Sequence, residues 1–369
     1  MATSSGGTGS TLSSVSPTSS RGFTSLSSDA SSTASATVAS SGFSSSTSIS
    51  PTRSATPPAH HAKLKRVYKG HSFFEGFQFQ IITDLSEGSV SYVDEAYAYK
   101  HKLAEVTRHG SVIRTVDRWS ELQPNISRDL VRLESNEVYV AGHLMFFDSK
   151  HMPIGCGTWY VYPGVRTSSQ SILMPLSNLG RRQFALPDLG DSTLSKVPTT
   201  GGTIRMALHT TEGCTRNASV PQTGNSTAPW ASDNCYAYSS SYGCQTMDWD
   251  PRSYGESFNK AGGGVFAMLF GETGISFWRW SRHDIPLDVR LGRPNWTTWG
   301  TPVGAFDGST CDTKTFFKQQ IITLASRTTE LPLCGTWAGI DSVWQDPIES
   351  GNYYSKYPTC ADAVQDPKA

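Results

Sequence analysis

From Val67 onward the chain is written in short apolar and aromatic runs, cut by Gly, Asp, Asn or Pro about every ten residues. The runs Phe73–Ile82, Ser89–Val93, Gly110–Val116 and Leu130–Leu133 carry the pattern. This rhythm predicts an all-β protein, an antiparallel sandwich of short strands. Helix signals are sparse, and the run Ala96–Val106 has only modest helical periodicity.

Composition then divides the chain. Length alone, 369 residues, allows two domains. Residues 1–58 are dominated by Ser, Thr, Ala and Gly, with too few large apolar side chains to offset the entropy of ordering. The predicted organisation is a disordered Ser/Thr-rich tail or linker over 1–66 and one β-sandwich domain over 67–369. A formal net charge of zero with only 17% charged residues gives no footprint for nucleic acid. Ten Trp and fourteen Tyr supply the flat faces that a protein stacking on pyranose rings needs.

Seven cysteines, with sequons at Asn125, Asn217, Asn225 and Asn295, fit an oxidising secretory route. Against that, Met1-Ala2-Thr3-Ser4-Ser5 opens no signal peptide, and no apolar run is long enough to span a membrane. Cys235 and Cys244 flank a Tyr/Ser-rich loop and suit a local disulfide; Cys334 with Cys360 and Cys214 with Cys311 are the other expected pairs, although spacing alone does not establish connectivity. Cys156 is then left over as a buried apolar residue. Gly262-Gly263-Gly264 has no following Lys-Ser/Thr and reads as close strand packing rather than a phosphate loop. His60-His61 lacks Cys or acidic partners, so no metal site is expected.

Four blocks carry a resemblance: Phe73-Phe74-Glu75-Gly76-Phe77, Gly155-Cys156-Gly157-Thr158-Trp159, Ala207-Leu208-His209-Thr210-Thr211 and Cys334-Gly335-Thr336-Trp337-Ala338-Gly339. With Tyr254-Gly255, Phe258-Asn259, Gly262-Gly263-Gly264-Val265 and Trp299-Gly300-Thr301-Pro302, they run collinearly from about Tyr68 to about Asp366. In this order they resemble glycoside hydrolase family 16, and more narrowly the fungal endo-1,3(4)-β-glucanases. The resemblance implies a concanavalin A-like β-jelly roll whose concave sheet forms a glucan-binding cleft. It also implies endo-hydrolysis of β-1,3/1,4-glucan with retention, no cofactor, a monomer, and an extracellular, cell-wall or membrane-associated location. Trp159, His209 and Trp337 fall on family positions that contact substrate. The chain ends at Ala369, short of the aromatic strand with which the family finishes, so the domain is expected to lack its last strand.

One block departs from the family. Its catalytic signature, Glu-x-Asp-x-x-Glu, supplies a nucleophile, an assisting Asp and an acid/base, and the matching places here are Asp191, Thr193 and Lys196. Retention needs two carboxyl groups about 5–5.5 Å apart. On a strand, positions i and i+2 share a face while i+5 points away, so a β-bulge must re-aim the second Glu. A lysine ammonium cannot follow an acid and base cycle at neutral pH, so the chain as written is expected to be catalytically impaired, or else to act as an inactive glucan-binding protein.

Codon arithmetic offers a source for the gap. One extra base after the second base of the Asp191 codon turns codons compatible with residues 191–199 into Glu, Leu or Phe, Asp, Ile, Ile, Glu, Gly, Ala, Asn. The shifted reading continues as Asp-Gly-Gly-Asn-Asn, and Arg205 becomes Gln just before Met206 resumes the family pattern. The connection 160–189 is also about twice the family's length, as a retained intron would make it, and lacks a second tryptophan. Arg181-Arg182, Lys196 and the prolines at 163, 175, 187 and 198 break the strand pattern, so 160–205 is the expected weak region.

Overall fold

Strand β12, Gly264–Gly271, shows how the sequence builds its core. Six apolar residues, Val265–Phe270, lie between its two glycines, and six of its eight positions are buried. The two glycines before it have positive φ, at 77° and 82°. A Cβ on Gly263 would sit 2.1 Å from the Ser149 carbonyl oxygen, and one on Gly264 2.3 Å from that of Trp280. The triple glycine is therefore the close strand packing expected from the sequence.

The structure is a computed structural model that describes residues 62–83, 90–123, 126–152, 162–167, 191–196, 204–226, 232–237, 239, 243–325, 344–345 and 353–367. Fifteen strands among these residues are numbered in chain order. β12 pairs antiparallel with β7 (His143–Ser149) and β13 (Gly274–Ser281), and β13 with β14 (Gly304–Asp307), giving a four-stranded sheet β14-β13-β12-β7. A second, seven-stranded sheet runs β1-β6-β15-β8-β9-β10-β11. Its strands are β1 (Phe77–Phe79), β6 (Arg132–Tyr139), β15 (Gln320–Ala325), β8 (Tyr162–Thr167), β9 (Asp191–Lys196), β10 (Ile204–His209) and β11 (Cys244–Asp248).

The main core lies between the sheets. Ile204, Met206 and Leu208 of β10 pack with Phe266, Met268, Phe270, Ile275, Phe277 and Phe306. A second cluster joins Phe74, Phe77, Leu133 and Leu324 to Leu103 and Ala104. The predicted antiparallel sandwich is present with three local differences. Phe73–Ile82 is mostly not strand: Gly70–Ser72 and Phe74–Gly76 are 3-10 turns, and only Phe77–Phe79 pairs. β2 (Val90–Tyr92) and β5 (Arg128–Leu130) pair in parallel. The run Ala96–Val106 divides into helix α1, Glu95–Lys100, and β3, Ala104–Val106, which forms a hairpin with β4, Val112–Arg114.

The segment expected to break the concave sheet forms backbone pairs at both of its described pieces. β9 pairs with β10 without interruption from Asp191↔His209 to Lys196↔Ile204. β8 pairs with β15 and, through a register shift between Tyr162 and Val165, with β9. Pro163 falls within that shift, where a missing N–H is tolerated. Backbone pairing is thus present at 162–167 and 191–196 despite Pro163 and Lys196; residues 168–190 and 197–203 lie outside the described residues.

Candidate active site

Alternation along β10 defines the two faces of the large sheet. Ile204, Met206 and Leu208 enter the core, so Arg205, Ala207 and His209 belong to the opposite face. β11 follows the same rule, with Gln245 and Met247 opposite Ala207 and Arg205. Arg205 Nη1 donates to Gln245 Oε1 at 3.3 Å, linking the two strands on that face. In β15, Ile322 and Leu324 pack on the core, which leaves Ile321 and Thr323, both buried, to the opposite face. In β6, Leu133 and Ser135 are on the buried side and Glu134 on the other, opposite Thr323.

Register then places the predicted catalytic positions. Asp191 stands opposite His209 and Thr193 opposite Ala207, both on the cleft face. Lys196 stands opposite Ile204, a core residue, because the β9–β10 ladder has no bulge between 191 and 196. The structure thus brings positions 191 and 193 together with His209 and separates 196 from them. Trp159, Trp337, Cys156 and Cys334 lie outside the described residues. The block leading to Trp159 is anchored at its start: Asn259 of helix α2 (Gly255–Lys260) accepts from Met152 N at 2.7 Å and donates to Met152 O at 2.9 Å.

His209 is held by its neighbours. Gly243 has φ 106°, and a Cβ there would lie 2.4 Å from Leu208 O and 2.7 Å from His209 Nδ1. Only glycine fits this approach. The next residue, Cys244, is bonded to Cys235, and Thr210 N donates to Cys235 O at 2.8 Å. A second disulfide, Cys214–Cys311, closes the turn after β10 against the segment before Thr313–Phe316. Both pairs were expected from the sequence. Cys360 is also disulfide-bonded, and the expected partner, Cys334, is outside the described residues.

Neither Glu134 nor Asp248 supplies the acid/base. Glu134 is three strands from β9, roughly 14 Å at the usual strand spacing, too far to pair with position 191 across a glycosidic bond. It is also engaged by Arg132, Nη2 to Oε1 at 2.8 Å. Asp248 stands opposite Ile204 on the core side and binds Arg279 Nε at 2.5 Å.

Two groups of aromatic residues differ in role. Trp249, one residue past β11 at the sheet's edge, is 57% exposed, a free ring beside the cleft strands. Trp278, Trp280 and Trp299 instead pack edge-on with Phe146 on the outer face of the small sheet. Trp299 Nε1 donates to Asp288 Oδ2 at 2.8 Å, so this station of the sequence is structural.

A family model described as the XgeA-like catalytic domain of glycoside hydrolase family 16 matches residues 77–166 and 198–369, leaving 167–197 unmatched. An endo-1,3(4)-β-glucanase of Arthroderma benhamiae is 32% identical over 310 residues, 82% of this chain and 60% of that protein. Endo-1,3(4)-β-glucanase XgeA of Emericella nidulans is 30% identical over 283 residues, 76% of this chain and 41% of that protein. The chain therefore spans from about two fifths to three fifths of the length of these relatives. Laminarinase 16A of Phanerochaete chrysosporium, solved with 6-O-glucosyl-laminaritriose in donor and acceptor sites, superposes with a TM-score of 0.66 at 28% identity, covering 82% of this chain and 93% of that one. An elongating family 16 β-1,3-glucosyltransferase gives 0.63 at 30% identity, covering 82% and 91%.

Proposed function

The chain belongs to glycoside hydrolase family 16, among the XgeA-like catalytic domains, and we propose that its cleft takes β-1,3- or mixed-linked glucan while its hydrolytic turnover, by a retaining two-carboxylate mechanism, is impaired. One observation carries the reading. The family match stops over 167–197 and resumes on both sides, while β9 runs past His209 in unbroken register. Position 191 then offers a carboxylate shorter by one methylene than the family's, position 193 offers a hydroxyl, and position 196 belongs to the core face. The bound sugar finds a surface to lie on without an acid to protonate its leaving oxygen.

The interruption has a reading-frame origin in this proposal, and an uninterrupted transcript encoding Ser-Thr-Leu-Ser-Lys after Asp191 counts against it. The disulfides and part-exposed sequons Asn217, Asn225 and Asn295 support action in an oxidising, extracellular setting.

The experiment compares the written chain with one whose residues 191–199 are replaced by Glu-Leu-Asp-Ile-Ile-Glu-Gly-Ala-Asn. Both are assayed by glucan pull-down and by zymography on laminarin and lichenan. The expected result is binding by both and hydrolysis only by the second, or at least a hundredfold more of it. Binding with no gain in hydrolysis by a folded second protein favours an inactive glucan-binding module. Failure of both to bind glucan removes the cleft assignment.

A further inference from the structure

Away from the cleft, the outer face of the β3–β4 hairpin and the end of α1 border an open depression of about 470 Å³. It is lined by Lys100, His101, Lys102, Glu105, Ile113, Thr115, Arg118 and Trp119, and its size falls in the ordinary range of small-ligand sites. The other face of the hairpin is what packs on the core, through Ala104, Val106 and Val112, so this opening belongs to the outside of the sandwich. Three cations face it against one carboxylate, Glu105. Among the described residues Lys100, Lys102 and Arg118 make no ion pair, and two nearby acids, Asp117 and Asp129, are committed elsewhere. Asp117 accepts from Trp119 N and Ser120 N, and Asp129 accepts from Tyr97 Oη at 2.6 Å. Beside the charges, Trp119 is 52% exposed, with the Arg118 guanidinium 5.3 Å from its ring centre. His101 is stacked on Tyr97 at 4.0 Å.

Lys102 makes the case sharper. Lys102 N donates to Tyr99 O at 3.2 Å and Leu103 N to Ala98 O at 2.8 Å, the hydrogen bonds of a helix-ending motif whose left-handed residue is usually glycine. Lys102 occupies that place with φ 57°, alone among the described non-glycine residues in having positive φ. A lysine occupies a place where backbone conformation favours glycine, at a cost to the fold.

We propose that this pocket binds an acidic sugar residue, a pyranose carrying a carboxylate or a phosphate, with the ring against Trp119 and the anion among Lys100, Lys102 and Arg118. A half-exposed indole beside cations that no described acid pairs matches both halves of such a ligand. The site is independent of the glucan cleft, and neutral glucan does not use it.

Affinity electrophoresis of the full chain tests this in native gels containing polygalacturonate, phosphomannan or laminarin. The variants are Lys102→Gly, Trp119→Ala and, as a remote control, the exposed Lys318→Gln. The expected result is retardation by one or both acidic polysaccharides, the responding gel identifying carboxylate or phosphate. Affinity falls on the order of tenfold in Lys102→Gly and in Trp119→Ala and is unchanged in Lys318→Gln. Retardation by laminarin is the same in all four proteins. Lys102→Gly also melts about 2 °C higher than the parent, since it relieves the left-handed lysine. The proposal is overturned by no retardation in either acidic gel. It is overturned equally by loss that Lys318→Gln shares, by indifference to Trp119→Ala, which is bulk charge attraction, or by a lower melting temperature for Lys102→Gly.

Discussion

Gly243 and Trp249 sit at the two ends of β11 and do opposite things for the cleft. Gly243 lets the chain pass against His209 where any side chain would strike Leu208 O and His209 Nδ1. Gly243→Ala should therefore cost about 2 kcal/mol in chemical denaturation, from strain at φ 106° and the displaced backbone, and weaken glucan binding with it. Trp249 has its ring mostly in water, so Trp249→Ala should leave the melting temperature within about a degree while lowering laminarin affinity roughly tenfold. A variant that binds as well as the parent removes Trp249 from the cleft. Neither residue announces itself in the sequence. A glycine beside a cysteine reads as ordinary loop punctuation, and a tryptophan after a strand reads as core until its exposure is known. His209 was legible because it sits inside a distinctive block, Ala207-Leu208-His209-Thr210-Thr211.

At the scale of elements, the two sheets are latched at one end by charge rather than by apolar contact. Arg279 of β13, only 6% exposed, binds Asp248 of β11 and, at 2.9 Å, Asp250, which Arg252 also holds at 2.8 Å. Burial works against the Asp250 charge, yet the hydrogen bonds and charges of Arg252 and Arg279 outweigh it and hold its carboxyl well below the ordinary value. A carboxyl depressed in the folded state stabilises fully above its unfolded pKa of about 3.9 and loses that contribution as pH falls toward the folded value. Stability by urea melts should decline from about pH 4 downward, and Asp250→Asn should flatten that decline while lowering stability at pH 7 by about 1–2 kcal/mol. An unchanged acid slope in the variant means the latch does not titrate. Alternating apolar runs marked most strands, and two of the expected cysteine pairs are bonded. Partner choice did not show: nothing local in Val90–Tyr92 or Arg128–Leu130 encodes a parallel pair. The aromatic density of Phe73–Phe77 reads as strand although Phe74-Glu75-Gly76 is a 3-10 turn.

Across the whole molecule, β9 decides whether the large sheet is one unit. In the strand order β8 and β9 are what connect β1-β6-β15 to β10-β11. A keystone strand needs apolar residues on its core face, and here register sets Ser192 opposite Leu208, Leu194 opposite Met206 and Lys196 opposite Ile204. Two of three positions supply no apolar surface. Against a strand with large apolar residues at both, that forgoes about 3–5 kcal/mol of burial, a large share of the stability of any domain. β9 as written should therefore open while the rest of the sandwich stays folded. Hydrogen exchange on the full chain should show amides at 191–196 exchanging by such a sub-global opening, at least a hundredfold faster than those of β12 and β13. The replacement Glu-Leu-Asp-Ile-Ile-Glu at 191–196 puts leucine and isoleucine at the first two of those positions and should bring the strand's exchange nearer to that of β12. Equal protection of 191–196 and β12 in the written chain would show that backbone pairing on both sides suffices without apolar burial. It would make this segment a diverged strand in its own right and remove the reading-frame account of the missing carboxylates.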